Sequence, residues 1–458
     1  MEKKRLGFGA RGWILCLYQF VAFLVYVVFT NWPMNALGDY YGGPGGTQGI
    51  AMIYTIAAVL GVVIQVILSP FIGRIKNVKR VSIILGIVSM LACLGVMLAK
   101  PGMAWKVFYF ITCLVIIVWA TFVVGILVGQ WFPRRKGTVM GLVTISFPVA
   151  NALMQPILGQ VIGMTYGGAP AEAIAPVLAT SYLPFLILGC VAIILAAILL
   201  KDYPEQCGAY RDNDRSMTPE AAKAMMEFEI ENKRTSVWGL KNTLKSPDFW
   251  FITLPMGFLL VGSVGMMTQT ANLFVKFGIT AQDPKFGIFM LINAVFAIAG
   301  SYLLGIVDTK IGTRKSMLIA VSCMVVSGIL GAIPTLGTNV AALWILGIFM
   351  GASSNYTVSG SVQYWRIEDF PTVFGKVNPL ANLMNNASPL VIAGLIFANA
   401  AANQGMPDAG PAYIFVGVIG AVSIILLALF KPDRVKAYDD KYRKAAGKPL
   451  DDALVGRK

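Results

Sequence analysis

The sequence predicts an all-α integral membrane protein, with twelve transmembrane helices in two six-helix bundles. Three observations carry that prediction. Apolar residues gather in twelve runs, each longer than the roughly 18 residues that mark a membrane crossing. Lys and Arg fall almost entirely on alternate connecting segments. The second half of the chain repeats motifs of the first at a nearly constant offset.

The apolar runs come first. Of 458 residues, 57% are hydrophobic and 13% charged, whereas soluble domains carry about 25% charged residues. The runs lie near 12–33, 48–72, 81–99, 107–131, 138–164 and 178–200, then near 249–275, 286–307, 316–334, 340–364, 377–399 and 411–430. Lipid offers no partner to an unpaired backbone group, so each run is expected to be helical. The first run is too long for the apolar core of a signal peptide and is read as helix 1. The expected organisation is an N-terminal bundle over 1–200, a cytoplasmic loop over 201–247, a C-terminal bundle over 248–432 and a tail over 433–458. Thr218 followed by Pro219 and Glu220 is a helix start, so a short surface helix is expected over 219–233.

Charge sets the orientation. With both termini in the cytoplasm, 33 of the 37 basic residues face inside, and only Lys100, Lys106, Lys276 and Lys285 face out. That asymmetry is the positive-inside pattern and predicts a multi-pass protein of the plasma membrane with cytoplasmic termini. The net charge of +15 is then assigned to loops over anionic lipid and not to nucleic acid. The chain has no histidine, and five of its six cysteines, all but Cys207, lie in apolar runs. These counts exclude a Ser-His triad, a histidine zinc site and a disulfide framework. We expect no enzyme activity, no metal, no cofactor and a monomer.

The duplication is read from short matches. Pro148-Val149-Ala150-Asn151 pairs with Pro379-Leu380-Ala381-Asn382 at an offset of 231. Thr138-Val139-Met140-Gly141 pairs with Thr372-Val373-Phe374-Gly375 at 234. Same-sense repetition of six helices places two bundles about an axis along the membrane normal, with the substrate site near the midplane between them.

Two segments resemble a known family. Gly305-Ile306-Val307-Asp308-Thr309-Lys310-Ile311-Gly312-Thr313-Arg314-Lys315 resembles the loop signature of the major facilitator superfamily. The resemblance implies that Asp308 and Arg314 latch one conformation. The matching first-half loop, with Gly73 and Arg74 at the latch positions, is shorter and has no Asp. Trp131-Phe132-Pro133-Arg134-Arg135-Lys136-Gly137, with Met140-Gly141, is similar to the loop between helices 4 and 5 of the oxalate:formate antiporter and monocarboxylate carrier group. That likeness implies a secondary transporter moving a monocarboxylate-type organic anion by exchange or facilitated transport. The oxalate carriers bear basic residues in helices 8 and 11, and neither 286–307 nor 377–400 contains Lys or Arg here. The alternative is a carrier or exporter of a neutral, zwitterionic or amphipathic solute.

None of the twelve runs contains Asp, Glu, Lys or Arg, which argues against a carboxylate proton relay. Uncharged polar side chains therefore supply the candidate contacts. The family layout implies that helices 1, 4, 7 and 10 line the cavity, with 5, 8 and 11 contributing. The candidates are Tyr18, Gln19 and Tyr26 in span 1, Trp119 in span 4, and Asn151 and Gln155 in span 5. Span 7 adds Gln269 and Asn272, and span 8 adds Asn293. Span 10 adds Asn355 and Tyr356, and span 11 adds Asn382, Asn385 and Asn386. Amides deep in such spans cost desolvation unless they find partners. Lys376, at the start of span 11, is expected to reach the cavity or to anchor on lipid phosphate.

Overall fold

A computed structural model describes residues 7–43, 46–72, 77–280, 283–398 and 405–450. Among these residues twelve helices are long and apolar enough to cross a membrane, and none forms a strand. Span 1 is Ala10–Ala36, span 2 Thr47–Ile72, span 3 Val78–Leu98 and span 6 Ala171–Leu199. Span 8 is Pro284–Ile311, span 9 Thr313–Ala332, span 11 Phe370–Phe397 and span 12 Gly410–Leu429. Local chemistry fixes several starts. The Asn77 side chain accepts from the Arg80 amide at span 3, and Asp283 accepts from Lys285 ahead of Pro284 at span 8. Both are N-caps that satisfy a free helix donor.

The other four spans are irregular. Span 4, Met103–Trp131, contains a π segment at Val118–Val123. Span 7 runs Pro247–Leu260 and continues into a π segment at Val261–Gly265. Span 5 is interrupted between Lys136–Val143 and Ser146–Tyr166, and span 10 between Leu336–Ser353 and Tyr356–Tyr364. Span 7 thus ends well short of residue 275, and short 3₁₀ turns at Thr270–Asn272 and Val275–Phe277 follow it. Span 11 starts earlier than the apolar run, so Lys376 lies inside the helix. Charged residues do enter the helices, but near their ends: Arg11, Lys136, Glu172, Asp248 and Asp308 are examples.

Burial divides the molecule in two. One apolar cluster gathers residues between Leu15 and Leu200, and a second gathers residues between Val237 and Val435. Phe370 and Phe374 of span 11 join the first cluster. They seat on Gly129 and Gly125 of span 4, where any larger residue would strike their rings.

The loop between the bundles is a docked structure, not a bare tether. Its helix runs Pro219–Asn232, and the Thr218 hydroxyl accepts from the Ala221 amide at 3.3 Å. Buried Arg211 donates to Glu205 at 2.8 Å and to Glu229 at 2.6 Å. Asp212, in the left-handed region at φ 55°, accepts from the backbone amides of Arg134 and Arg135 at 3.0 and 2.8 Å. Burial raises the Asp212 carboxyl against those amides. On the other bundle the tail helix Pro432–Ala445 closes a buried charge cluster. Arg443 donates to Glu368 at 2.9 Å and Asp369 at 2.6 Å, and Arg366 donates to Asp439 at 2.7 Å. Burial pushes Asp369 up to about 6, with Arg443 pulling the other way. All these contacts lie on the face where the described chain begins and ends, with Gly7 beside Arg135 and Leu450 beside Arg366.

Candidate functional site

A central cavity of about 40 Å³ lies between the two bundles. Every irregular span reaches it. Thr121 comes from the π segment of span 4, Val264 from that of span 7, Phe147 from just past the break in span 5, and Ser354 from the break in span 10. Irregular backbone at membrane depth is tolerated where it lines a cavity, and π segments recur at functional sites. The remaining polar lining is Gln19, Tyr26, Ser353, Thr357, Asn378, Asn382 and Asn385. Phe23, Gly125, Met140, Leu260, Met350 and Val358 complete the wall. Among the described residues no charged side chain lines it. At this volume the cavity is smaller than the roughly 300 Å³ of a small ligand pocket, so an organic solute enters only as the bundles separate.

The hydrogen bonds of the wall are directional. Gln19 Nε2 donates to the Ala120 carbonyl at 2.9 Å, and its Oε1 is buried without a partner. Because a carbonyl only accepts, this bond fixes which end of the Gln19 amide is left over. Tyr54 donates to Asn386 Oδ1 at 3.3 Å, so in the 2.8 Å pair of Tyr26 with Tyr54 the hydrogen comes from Tyr26. Thr121 donates to the Ile117 carbonyl at 2.6 Å, Ser353 to Met350 at 2.9 Å and Thr357 to Ser354 at 3.4 Å.

Of the residues singled out from sequence, Gln19, Tyr26, Asn382 and Asn385 come together at the cavity. Asn386 stands beside it, bonded to Tyr54 of span 2. Tyr18 and Trp119 turn the other way. Trp119 donates to the Tyr18 hydroxyl at 2.9 Å, and that hydroxyl pairs with Ser82 of span 3. Gln269 and Asn272 lie past the end of span 7 and bond each other at 3.0 Å. Asn293 donates to the Met267 sulfur at 3.6 Å, and Tyr356 pairs with Ser316 at 2.9 Å, both inside the second bundle. Asn151 is half-buried and outside the cavity lining. The Gln155 side chain, like Gly73 and Arg74, lies outside the described residues.

Lys376 does not reach the cavity or a lipid surface. It is buried and donates to the carbonyls of Trp238 at 3.1 Å and Thr372 at 2.6 Å, which ties span 11 to the central loop. The residues missed at the cavity are Thr121, Ser353, Ser354, Thr357 and Asn378. Their signal was present in span 10, where Ser353-Ser354-Asn355-Tyr356-Thr357 interrupts an apolar run. The break in the helix directs the serines to the cavity and Asn355 to the seam between bundles.

That seam is tightly built on the face carrying the termini. Thr144, at the break in span 5, donates to Asn355 Oδ1, at the break in span 10, at 2.6 Å. Ser301 of span 8 joins them: its hydroxyl lies 2.8 Å from the Thr144 hydroxyl and donates to the Gly141 carbonyl at 2.8 Å. A Cβ on Gly141 would lie 2.6 Å from the Ser301 carbonyl oxygen and 3.0 Å from the Gly305 Cα. Asp308 packs against Gly137 at the start of span 5 and accepts from Thr313 at 2.6 Å, while its Oδ2 has no hydrogen-bond partner. Arg314 faces elsewhere: it donates to the Leu427 and Ala428 carbonyls and caps span 12. Toward the opposite face the bundles meet through Tyr54 and Thr55 of span 2, which bond Asn386 of span 11.

Residues 14–393 match the family model described as Major Facilitator Superfamily. No curated protein sequence matches the chain. Among solved structures it is similar to the proton:xylose symporter XylE, at TM-score 0.69 and 10% identity over 93% of this chain and 98% of that one. It is also similar to the transporter FucP in its outward conformation, at TM-score 0.63 and 13% identity over 93% and 99%. A third likeness is to the human organic anion transporter MFSD10, at TM-score 0.58 and 14% identity over 90% and 97%.

Proposed function

From the premise that this chain belongs to the major facilitator superfamily, and is therefore a membrane transporter and not an enzyme, we propose that it carries a small uncharged organic solute by alternating access at the central cavity. One observation carries this reading: among the described residues the cavity is lined by amides, hydroxyls and apolar groups and by no charged side chain. A charged solute stripped of water there gains no opposite charge in return. The contacts we assign to the solute are Gln19, Tyr26, Asn382 and Asn385. In the proposed cycle the seam of spans 5, 8 and 10, with Asp308 against the start of span 5, closes one face while the other opens.

The face with the termini is proposed to be cytoplasmic, because 33 of 37 basic residues belong to it and its connected segments. A monomer in the plasma membrane, organised as two bundles with a docked loop and tail, completes the proposal.

A second reading is favoured by the 131–137 segment, which is similar to the oxalate:formate and monocarboxylate carriers. In it the solute is a small organic anion moved by exchange. The test is a thermal-shift screen of the purified protein against polyols, sugars, amino acids, mono- and dicarboxylates and amphipathic drugs. A ligand at about 100 times its dissociation constant adds about 2.7 kcal/mol to the folded state. Stabilisation by uncharged solutes with carboxylates silent is expected. Stabilisation by carboxylates alone would overturn the first reading in favour of the second.

A further inference from the structure

A groove of about 520 Å³ lies far from the central cavity, on the face where the described chain begins and ends. One wall is the segment 235–242, which leads into the short helix Leu240–Lys245. The other wall is the far end of the tail helix, at Tyr442 and Ala445. Both walls lie at the membrane surface. The short helix stands directly ahead of Pro247, the first residue of span 7. Arg443 of the tail bonds Asp369, the residue before span 11. The first wall is held in place, because Ser236 donates to Asp369 at 2.6 Å and the Trp238 carbonyl accepts from Lys376 at 3.1 Å. The Lys241 ammonium is the one charge among the described lining residues. Elsewhere on this face Lys223 pairs with Glu227 and Arg134 with Asp214. Among the described residues Lys241 has no such partner, and neither has Lys245 one turn further on. Beside these lysines Leu240 is 54% exposed and Leu244 37% exposed. Leucines four residues apart share a helix face. An apolar face next to a basic one, at the level of the membrane surface, is the pattern of an interfacial helix.

We infer that this groove is a binding site for an anionic phospholipid, with the headgroup phosphate on Lys241 and Lys245 and an acyl chain along Leu240 and Leu244. Charge and apolar surface select that ligand together. A neutral lipid would cover the leucines and leave both ammoniums without a counter-charge. A soluble phosphate would meet the ammoniums and leave the leucines in water, at a cost proportional to their apolar area. An anionic lipid answers both. Trp250 marks the depth, since its indole donates to the Leu244 carbonyl at 3.0 Å and tryptophan gathers at the lipid headgroup level. The assignment does not depend on which solute the central cavity carries.

The experiment places the full-length protein in phosphatidylcholine vesicles with a trace of photoreactive phosphatidylglycerol or photoreactive phosphatidylcholine. Crosslinked peptides are then mapped by mass spectrometry. Phosphatidylglycerol is expected to label 235–245 and the end of the tail helix about five-fold more than phosphatidylcholine does, or better. Replacing Lys241→Gln, and then Lys245→Gln as well, is expected to cut that labelling about five-fold for each lysine removed. Labelling by phosphatidylcholine and the melting temperature should stay unchanged, which shows that the variants fold. Lys241→Arg should keep the labelling. Equal labelling by the two lipids would overturn the site, and so would phosphatidylglycerol labelling that ignores both substitutions. Displacement of the lipid by an excess of the water-soluble headgroup glycerophosphoglycerol would overturn the lipid in favour of a soluble anion.

Discussion

Single residues here are decided by where one hydrogen bond goes. Tyr18 and Gln19 are neighbours, yet one faces span 3 and the other the cavity, because successive helical side chains diverge by about 100°. Sequence shows which residues are polar, and partners decide which of them remain available. Lys376 illustrates the limit. Its position at the foot of span 11 suggested a cavity or lipid contact, whereas the loop carbonyl of Trp238 captures it. Lys376→Met is therefore predicted to leave solute affinity within about two-fold while lowering stability by roughly 1–3 kcal/mol, the cost of charge-assisted bonds. Titration and thermal melts of the same sample check both parts. Tyr26→Phe is predicted to weaken solute binding about five- to ten-fold, because it removes an oxygen of the wall and its link to Tyr54. Unchanged binding in Tyr26→Phe would remove that oxygen from the site.

At the scale of elements, the twelve spans were legible because lipid demands long apolar helices, and that demand leaves a strong pattern. The interruptions were not legible. Prolines 148, 156, 379 and 389 lie in spans 5 and 11, where proline removes a ladder bond, but the breaks fall at Thr144–Ile145 in span 5 and at Ser354–Asn355 in span 10, and the π segments at Val118–Val123 and Val261–Gly265. None of these positions contains proline. They depend on packing across the cavity, which no local pattern records. The paired breaks bind each other through Thr144 and Asn355, so they form one seam from two bundles. Thr144→Val keeps the shape and removes the bond. In a cysteine-free background with a single cysteine at Thr357, it is predicted to speed alkylation from the termini-bearing face about ten-fold, as the seam loses about 1–2 kcal/mol. Gly141→Val is predicted to go further, because its side chain collides with backbone of span 8. The protein should fold, label continuously from that face and fail to transport. Protection of Thr357→Cys in the Gly141→Val protein would show that closure does not use this seam.

For the whole molecule, two hydrophobic cores joined by a polar seam and by the rings of Phe370 and Phe374 favour rocking of one body against the other. The tail helix belongs wholly to the second body. Arg443 is shared by Glu368, Asp369 and Asp439, and removing it strands buried carboxylates. Arg443→Ala is predicted to cost on the order of 3–5 kcal/mol of local stability, read as faster proteolysis of residues 432–445, while solute exchange persists. Loss of exchange without loss of protection would assign the cluster to the transport cycle instead. The account centres on an uncharged cavity that moves an uncharged solute. Its most direct test is counterflow in vesicles containing the purified protein, with a labelled uncharged solute from the thermal-shift screen or a labelled monocarboxylate outside and the same unlabelled solute within. The prediction is uptake of the uncharged solute at a rate indifferent to an imposed membrane potential, with none of the carboxylate. Counterflow of the carboxylate alone would contradict it.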